Sequence, residues 1–271
     1  MYEMIGNWIP ALIPAFLLLD LVVQRRRYDK SRFWRLRGLA VTTAIFVFTG
    51  QVAAFWGGVL GDYHLFNLSA LGPFAGAAVG VLVYELFHYL YHRAVHESPL
   101  LWRYVGHQVH HSAESLDAWG ANYLHPLDAA MFTTWASLVF VPLLGLSLEA
   151  TILAALFLTF NAMFQHANIA TPQWLGWFIQ RPESHNIHHA RGVHRWNYSD
   201  LPIIDMLFGT YWNPRNVDDV PCGYYPGASS RLLDMLIGRD VSEPDWQPAP
   251  RTQTLAGPEP LQDSATVREA A

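Results

Sequence analysis

Long runs without a charged residue are the feature that most limits how this chain can fold. Residues 38–61 and 65–84 contain no charged residue, and residues 129–165 contain only Glu149. A helix needs about 20 apolar residues to cross the roughly 30 Å hydrocarbon core of a bilayer. Charged residues make up 14% of the chain, compared with about 25% in an ordinary soluble domain. We therefore predict an all-α fold, a polytopic membrane helical bundle.

The apolar runs divide into three spans and a hairpin. Residues 4–23 form the first predicted span, followed by residues 38–61 and 65–84. Pro142 and Gly145 interrupt the 129–165 run, where they favour a turn. We predict a helical hairpin there, with two arms that are short for full crossings. Gly72, Gly76 and Gly80 repeat at GxxxG spacing in the third span, which indicates close packing against another helix.

Basic residues between the first two spans predict the orientation. The segment Arg25–Arg37 carries seven Lys/Arg and one acid, so it is expected to stay in the cytoplasm. Following the chain from there places the residues after about 85 on the cytoplasmic side and His64 on the opposite side. We predict an integral, multi-pass membrane protein with a cytoplasmic histidine-rich helical cap. The net charge of −5 argues against nucleic acid as a partner.

The end of the chain differs in composition from the rest. Residues 239–271 are polar and rich in proline, which is typical of segments that cannot bury enough apolar surface to fold. We expect residues 1–238 to form the membrane-embedded domain and residues 239–271 to be a disordered polar tail.

Three histidine clusters follow the third span. The first has histidines four residues apart, so their rings share one face if the helix of the third span continues. The other two both read HxxHH, and rings at such spacing can converge from one helical turn. The clusters are His88, His92 and His96; His107, His110 and His111; and His185, His188 and His189. Protonated clusters would repel one another at a bilayer surface, whereas neutral rings around a cation would not.

The number of histidines indicates two metal ions, because it exceeds the four ligands of one tetrahedral ion. Cys222 is the single cysteine, so thiolate sites are excluded, and imidazole suits iron, zinc, copper or nickel. A dizinc hydrolase would need a carboxylate within the box, as in HExxH. A metal transporter or sensor would place its histidines across the bilayer. Both classes remain open on the histidine pattern alone.

Several segments resemble the fatty acid hydroxylase/sterol desaturase superfamily of membrane di-iron enzymes. They read HYLYHRAVHE, WRYVGHQVHHS, ANYLHPLD, FQHANI, SHNIHH and NYSDLPIIDMLFGTYW, and the resemblance runs from about residue 85 to residue 212. The resemblance implies two iron ions, O₂ as co-substrate and hydroxylation of a lipid C–H bond. Desaturation of a lipid or sterol with the same ligands is the alternative. No haem, flavin or iron–sulfur motif is visible, so the electrons would come from a separate electron-transfer protein.

The resemblance also implies the ligands, residue by residue. The FQHANI segment contributes one of them, and the position four residues later is Ala170, which cannot ligate. His96 and His125 are candidates to contact the ligands rather than the metal, and for His125 metal ligation and a structural role remain equal alternatives. The implied metal ligands are His88, His92, His107, His110, His111, His166, His185, His188 and His189.

Overall fold

The computed structural model describes residue 6, residues 8–193 and residues 195–244. Every regular element in these residues is a helix, and one isolated β-bridge joins Ala190 to Cys222. This confirms the predicted all-α class. The α-helices are α1 (Trp8–Val22), α2 (Trp34–Leu60), α3 (Gly72–Glu97), α4 (Pro99–Tyr104), α5 (Gln108–His111), α6 (Pro126–Leu138), α7 (Leu148–His166), α8 (Pro182–His188), α9 (Pro202–Phe208) and α10 (Leu232–Leu236).

Four helical segments are long and apolar enough to cross a membrane: Trp34–Leu60, Ser69–Glu97, Pro126–Leu143 and Leu148–His166. They confirm an integral, multi-pass protein. Helix α1 packs along α7. Its 15 residues reach about 22 Å, less than the hydrocarbon core. Residues 4–23 were expected to span, and part of that segment lies outside the described residues.

The hairpin formed by α6 and α7 reaches the far end of the bundle. After α6 a π-helical turn, Val139–Leu143, contains Pro142, which has no N–H to continue an α-helical ladder. The N–H groups of Leu65 and Phe66 donate to the carbonyl oxygens of Pro142 and Leu143, at 2.6 and 2.9 Å. The hairpin turn therefore lies beside the loop that joins α2 to α3. The prediction that the arms are short for full crossings is wrong, because Pro126–Leu143 and Leu148–His166 are both long and apolar enough to cross a membrane.

Small residues let α3 and α7 approach closely. A Cβ atom added at Gly76 would lie 2.9 Å from Ala150 Cβ, and one at Gly80 would lie 2.7 Å from a methyl group of Leu146. The GxxxG spacing thus serves helix packing inside the chain, as the sequence indicated. This packing fixes the first histidine cluster on α3 relative to His166 at the end of α7.

The basic segment between α1 and α2 lies at the histidine end of the bundle. Arg25 N donates to Asn168 O at 2.9 Å, just after the end of α7. Trp34 Nε1 donates to Asp117, and Lys30 Nζ lies 3.2 Å from the same carboxylate. Residues 98–125 and 167–244, which we call the cap, pack over this end. His64 lies at the other end, against Gly145.

The packed structure continues past residue 238. Val241 is fully buried, and its N–H donates to Gln108 Oε1 at 3.1 Å. Gln108 Nε2 in turn donates to Arg239 O at 2.8 Å. The expected boundary at 238 therefore divides a packed segment. Residues 245–271, which hold most of the expected tail, lie outside the described residues.

Candidate metal centre

The histidine clusters come together in two groups beneath the cap. Within each group the candidate ligand nitrogens all lie within 4.8 Å of one another. Both groups consist of imidazole alone. The five-histidine group is His92, His96, His107, His111 and His188, and the four-histidine group is His110, His166, His185 and His189.

Each HxxHH box divides its rings between the two groups in a reciprocal manner. The first box sends His107 and His111 to the five-histidine group and His110 to the other. The second box sends His185 and His189 to the four-histidine group and His188 to the other. Residues i and i+4 share a helix face while i+3 turns aside, so one helical turn can serve two neighbouring sites. The groups touch where the His111 and His189 rings stack with centroids 4.1 Å apart.

Hydrogen bonding at the outer ring nitrogens fits a metal at the inner ones. His92 Nδ1 donates to Tyr198 O at 2.7 Å, and His107 Nδ1 donates to Asp128 Oδ2 at 2.7 Å. A neutral ring that donates from Nδ1 presents a lone pair at Nε2, and the two Nε2 atoms face each other at 3.0 Å. A shared metal ion would satisfy both lone pairs. Nitrogens bound about 2.1 Å from one ion lie about 3.0–3.4 Å apart.

The four-histidine group repeats this arrangement. His166 Nδ1 donates to Ala162 O at 2.7 Å, so its Nε2 is bare. That atom lies 3.0 Å from both His110 Nε2 and His185 Nε2. Burial, reinforced by the neighbouring imidazoles, holds the pKa values of His110, His185 and His189 well below their ordinary range. The rings are therefore neutral at pH 7, the form in which imidazole binds metals.

Asp128 is a functional candidate that the sequence reasoning did not single out. Its carboxylate is fully buried, contacts His107, and accepts a hydrogen bond of 2.8 Å from the Tyr91 hydroxyl. It thus fixes the tautomer and the orientation of the His107 ring. The available signal was the LHPLD segment, in which only His125 was weighed as a ligand.

His88 lies outside both histidine groups, although the resemblance implied that it is a ligand. It forms a third, mixed group with the carboxylates of Glu85 and Asp200, whose candidate ligand atoms lie within 4.8 Å of one another. Its ring stacks on His92 at a centroid distance of 5.4 Å, and its Nδ1 lies 3.5 Å from Glu85 Oε2. Glu85 is fully buried and accepts hydrogen bonds from Ser199 Oγ and Asp200 N at 2.6 and 2.8 Å. His96, expected only to contact the ligands, is itself in the five-histidine group.

His125 also lies apart from both groups. It caps α6, where its Nδ1 accepts from Leu127 N at 3.1 Å, and its Nε2 is 3.3 Å from Leu236 O. These contacts tie α6 to α10 and reach no metal candidate. The structure therefore brings together eight of the nine expected ligands, adds His96, and separates His88 and His125 from them.

Asp205 positions the backbone that supports the centre. It is fully buried, and its carboxylate accepts from Tyr198 N, Ser199 N and Thr210 Oγ1 at 2.7–2.9 Å. Burial raises the pKa of Asp205 to about 7. Because Tyr198 O receives the His92 proton, this carboxylate holds the loop against which His92 is oriented.

A cavity of about 610 Å³ runs from the histidines into the bundle. Along α2 its wall extends from Ile45 to Gly57, about 18 Å at about 1.5 Å per residue. Most of this wall is apolar, while Gln165, Gln180 and Asp200 line the histidine end. Six histidines form part of that end: His88, His92, His107, His110, His166 and His185. A long aliphatic chain fits such a shape, with its polar end near the rings.

Comparison with known proteins matches the region of the chain that contains the histidine boxes. The fatty acid hydroxylase family matches residues 77–210. Alkylglycerol monooxygenase from Danio rerio is 24% identical over 77% of this chain and 44% of its own length. Ornithine lipid hydroxylase OlsE from Rhizobium tropici is 28% identical over 65% of this chain and 54% of its own length. Very-long-chain aldehyde decarbonylase GL1-9 from Oryza sativa subsp. indica is 26% identical over 49% of this chain and 53% of its own length.

The chain spans about half the length of these relatives. No solved structure matches it significantly. The family match covers the histidine boxes and the helices that carry them, from α3 to the segment after α9. The order of the boxes, their convergence beneath the cap and the matched region agree. The chain belongs to the fatty acid hydroxylase/sterol desaturase superfamily.

Proposed function

We propose that this protein is an O₂-dependent lipid hydroxylase with a di-iron centre. The observation that carries the proposal is the apolar cavity whose inner end is walled by the histidines of both groups. A lipid chain in this cavity would bring a C–H bond to the metals while the bundle keeps water away. The names of two relatives, a monooxygenase and a lipid hydroxylase, support the same chemistry.

The proposed ligands are the nine members of the two groups. They include His96 and leave out His88 and His125. Bound iron would supply the redox chemistry that divides O₂ between a lipid hydroxyl group and water. Two electrons and two protons balance the reaction, and the electrons would come from a separate electron-transfer protein. Imidazole ligands leave the positive charge of the metals uncompensated, unlike carboxylate ligands.

The protein's own groups orient the rings and hold their protons. Asp128, Tyr198 O and Ala162 O keep the Nδ1 protons of three ligands, so that Nε2 is free to bind. Such partners of metal-bound histidines raise ligand basicity and fix ring orientation. Glu85 holds the loop that contains Asp200, and so shapes the polar end of the cavity.

The polar end of the cavity supports a substrate with a headgroup near the metals. Gln165 Nε2 donates to Asp200 Oδ1 at 3.0 Å, and Gln165 Oε1 is buried with no hydrogen-bond partner among the described residues. Hydroxyl or amino groups of a lipid headgroup would satisfy this acceptor. We therefore propose oxidation close to the headgroup rather than at the far end of the aliphatic chain.

We also propose that the metal centre faces the cytoplasm. The segment Arg25–Arg37 is bonded to the same end of the bundle that carries the histidines. Positively charged loops stay on the cytoplasmic side. A metal transporter fits poorly, since both histidine groups lie at one end. A dizinc hydrolase fits poorly as well, since the two large histidine groups contain no carboxylate, and the carboxylates of Glu85 and Asp200 meet only His88.

The decisive experiment combines metal analysis with isotope labelling. We expect purified protein to hold close to two irons per chain, and ¹⁸O from ¹⁸O₂ to enter an alcohol product. His110→Ala and His188→Ala, one from each group, should both abolish oxidation while the protein still inserts in the membrane. His64→Ala is the control, because that side chain lies at the opposite end. One zinc without iron would overturn the proposal.

The product also decides between related reactions. An alcohol containing ¹⁸O supports hydroxylation, an alkene without the label supports desaturation, and a shortened hydrocarbon supports aldehyde decarbonylation. Fragmentation of the labelled product locates the oxygen. A hydroxyl group at the far end of the chain would contradict the proposed orientation of the substrate.

A further inference from the structure

Arg26 is a buried arginine whose guanidinium group has no hydrogen-bond or ion-pair partner among the described residues. It is 5% exposed, and none of its three guanidinium nitrogens has a hydrogen-bond partner among the described residues. Burying a charge in this way is costly unless the charge is paired and hydrogen-bonded. This position therefore points to an anion that completes the site.

Arg26 lines a polar cavity of about 300 Å³ on the cap side of the protein. Thr171, Asn216 and the exposed Arg215 also line it. Two carboxylates are present as well, but both already have cationic partners. Asp218 lies 2.8 Å from Arg25, and Glu183 lies 3.1 Å from Arg181. Arg26 and Arg215 are thus the arginines of the lining that have no ion-pair partner among the described residues.

The backbone at Arg26 is fixed before any ligand binds. Arg26 N donates to Asn168 Oδ1 at 2.9 Å, and Asn168 Nδ2 donates to Arg26 O at 2.7 Å. The guanidinium carbon lies 5.7 Å from the centroid of the Tyr28 ring. Because the cation is already held in place, binding an anion would cost little conformational entropy.

The cavity lies at the level expected for lipid headgroups. Arg25 and Arg26 follow the end of α1, where Val22 is 85% exposed. Thr171 precedes a short 3₁₀ turn with Trp174 and Trp177, both about 60% exposed. Exposed tryptophans are typical of the membrane–water interface, and basic pockets on the cytoplasmic side are typical sites for anionic headgroups.

We propose that this cavity binds a phosphate group, with Arg26 as its main contact and Arg215 at its rim. Guanidinium groups bind phosphate through paired, charge-assisted hydrogen bonds. The phosphate could belong to an anionic phospholipid or to a soluble phosphate compound, and both present the same chemistry. The site is separate from the histidine groups, so it does not depend on the proposed oxidation.

Two probes distinguish the sources of phosphate. Native mass spectrometry of the detergent-purified full chain measures retention of dioleoyl phosphatidic acid against dioleoyl phosphatidylcholine. Thermal unfolding in inorganic phosphate, compared with chloride at equal ionic strength, measures binding of the soluble anion. Arg26→Gln should weaken whichever probe binds by about tenfold, as expected for a lost charged hydrogen-bond pair.

The matched control is Arg27→Gln, because Arg27 is the exposed neighbour and does not line the cavity. Arg215→Gln lies at the exposed rim and gives an independent test if Arg26→Gln does not fold. Selective retention of phosphatidic acid that both cavity variants reduce supports a lipid headgroup. Stabilisation by inorganic phosphate that both variants reduce supports a soluble ligand. Binding of neither probe, or equal binding by Arg26→Gln and Arg27→Gln, overturns the proposal.

Discussion

Asp128 shows how one side chain can control a metal ligand without touching the metal. Its Oδ2 atom accepts the proton of His107 Nδ1 at 2.7 Å, while its Oδ1 atom accepts from the Tyr91 hydroxyl at 2.8 Å. The first contact leaves His107 Nε2 free to face His92. The second holds the carboxylate in position on α6. A buried network of this kind acts as a unit, and losing its central acceptor affects both ends.

Asp128→Asn keeps the shape but weakens the acceptor of the His107 proton. We expect iron affinity or activity to fall about 10–100-fold, the usual effect of changing a partner of a metal-bound histidine. Iron per chain after dialysis against a chelator measures this. Tyr91→Phe, which removes one hydrogen bond to the other oxygen, should lose much less iron. Equal iron retention by Asp128→Asn and wild type would contradict the role given to Asp128.

His96 and His88 provide a test within one helix face. Both are on α3, four residues on either side of His92, yet His96 joins the five-histidine group while His88 contacts Glu85. His96→Ala should therefore lose about one of the two irons per chain, since a missing ligand weakens one ion selectively. His88→Ala should retain both irons. Metal analysis of the two purified variants is sufficient, and the opposite result would restore the ligand set implied by the sequence.

At the scale of elements, residue patterns in the sequence predicted the long helices and the hairpin turn. The uncharged runs located α2 and α3, Pro142 marked the hairpin turn, and the spacing of His88, His92 and His96 predicted a continuing helix. The depth of the hairpin was not predictable in this way, because it depends on bonds between residues 65–68 and 142–144. Each HxxHH box contributes rings to both histidine groups. This arrangement depends on how α5 and α8 face each other, which the spacing of histidines in the sequence cannot specify.

The buried acidic side chains around the metal centre were also not predictable from composition. Glu85 and Asp205 are both fully buried and hold the loop 198–201 by accepting backbone N–H groups. Asn168 likewise bonds to Arg26, far away in the sequence. Such roles arise from tertiary contacts, so each acid looked the same as a solvated one in the sequence.

Gly145 tests the packing of the hairpin turn against the loop between α2 and α3. Its φ of 56° is left-handed, and a Cβ atom there would collide with Phe66 O and the His64 side chain. Gly209 has a φ of 72° with open space around it, so Gly209→Ala carries the left-handed cost alone, about 1–2 kcal/mol. Gly145→Ala should lower the melting temperature clearly more than Gly209→Ala does. Equal shifts would mean that the turn can move away from residues 64–66.

At the scale of the whole molecule, the cap and the bundle are joined through the histidine region. Four parts of the chain meet there: α1, the loop after α7, the segment around Asp117 and the end of the described chain. Asp20 in α1 accepts from Asn168 N at 3.0 Å and from Ala118 N. Ligands drawn from α3, α5, α7 and α8 make metal binding depend on this assembly, so metal binding should stabilise the folded protein.

The end of the described chain gives the last prediction. Gln108 follows His107 and is fully buried, with its amide group bonded to Arg239 O and Val241 N. Truncation after Gly238 would leave this amide without both partners, at a cost of about 1–3 kcal/mol, and would remove Val241 from the core cluster that includes Val109. Truncation after Pro244 keeps these contacts and removes only residues whose composition is typical of a tail. We therefore expect the longer form to match the full chain in melting temperature and iron content, and the shorter form to melt lower and to lose iron from the five-histidine group. If both forms behave as the full chain does, the contacts that link Val241 through Gln108 to His107 have no part in holding the metal centre.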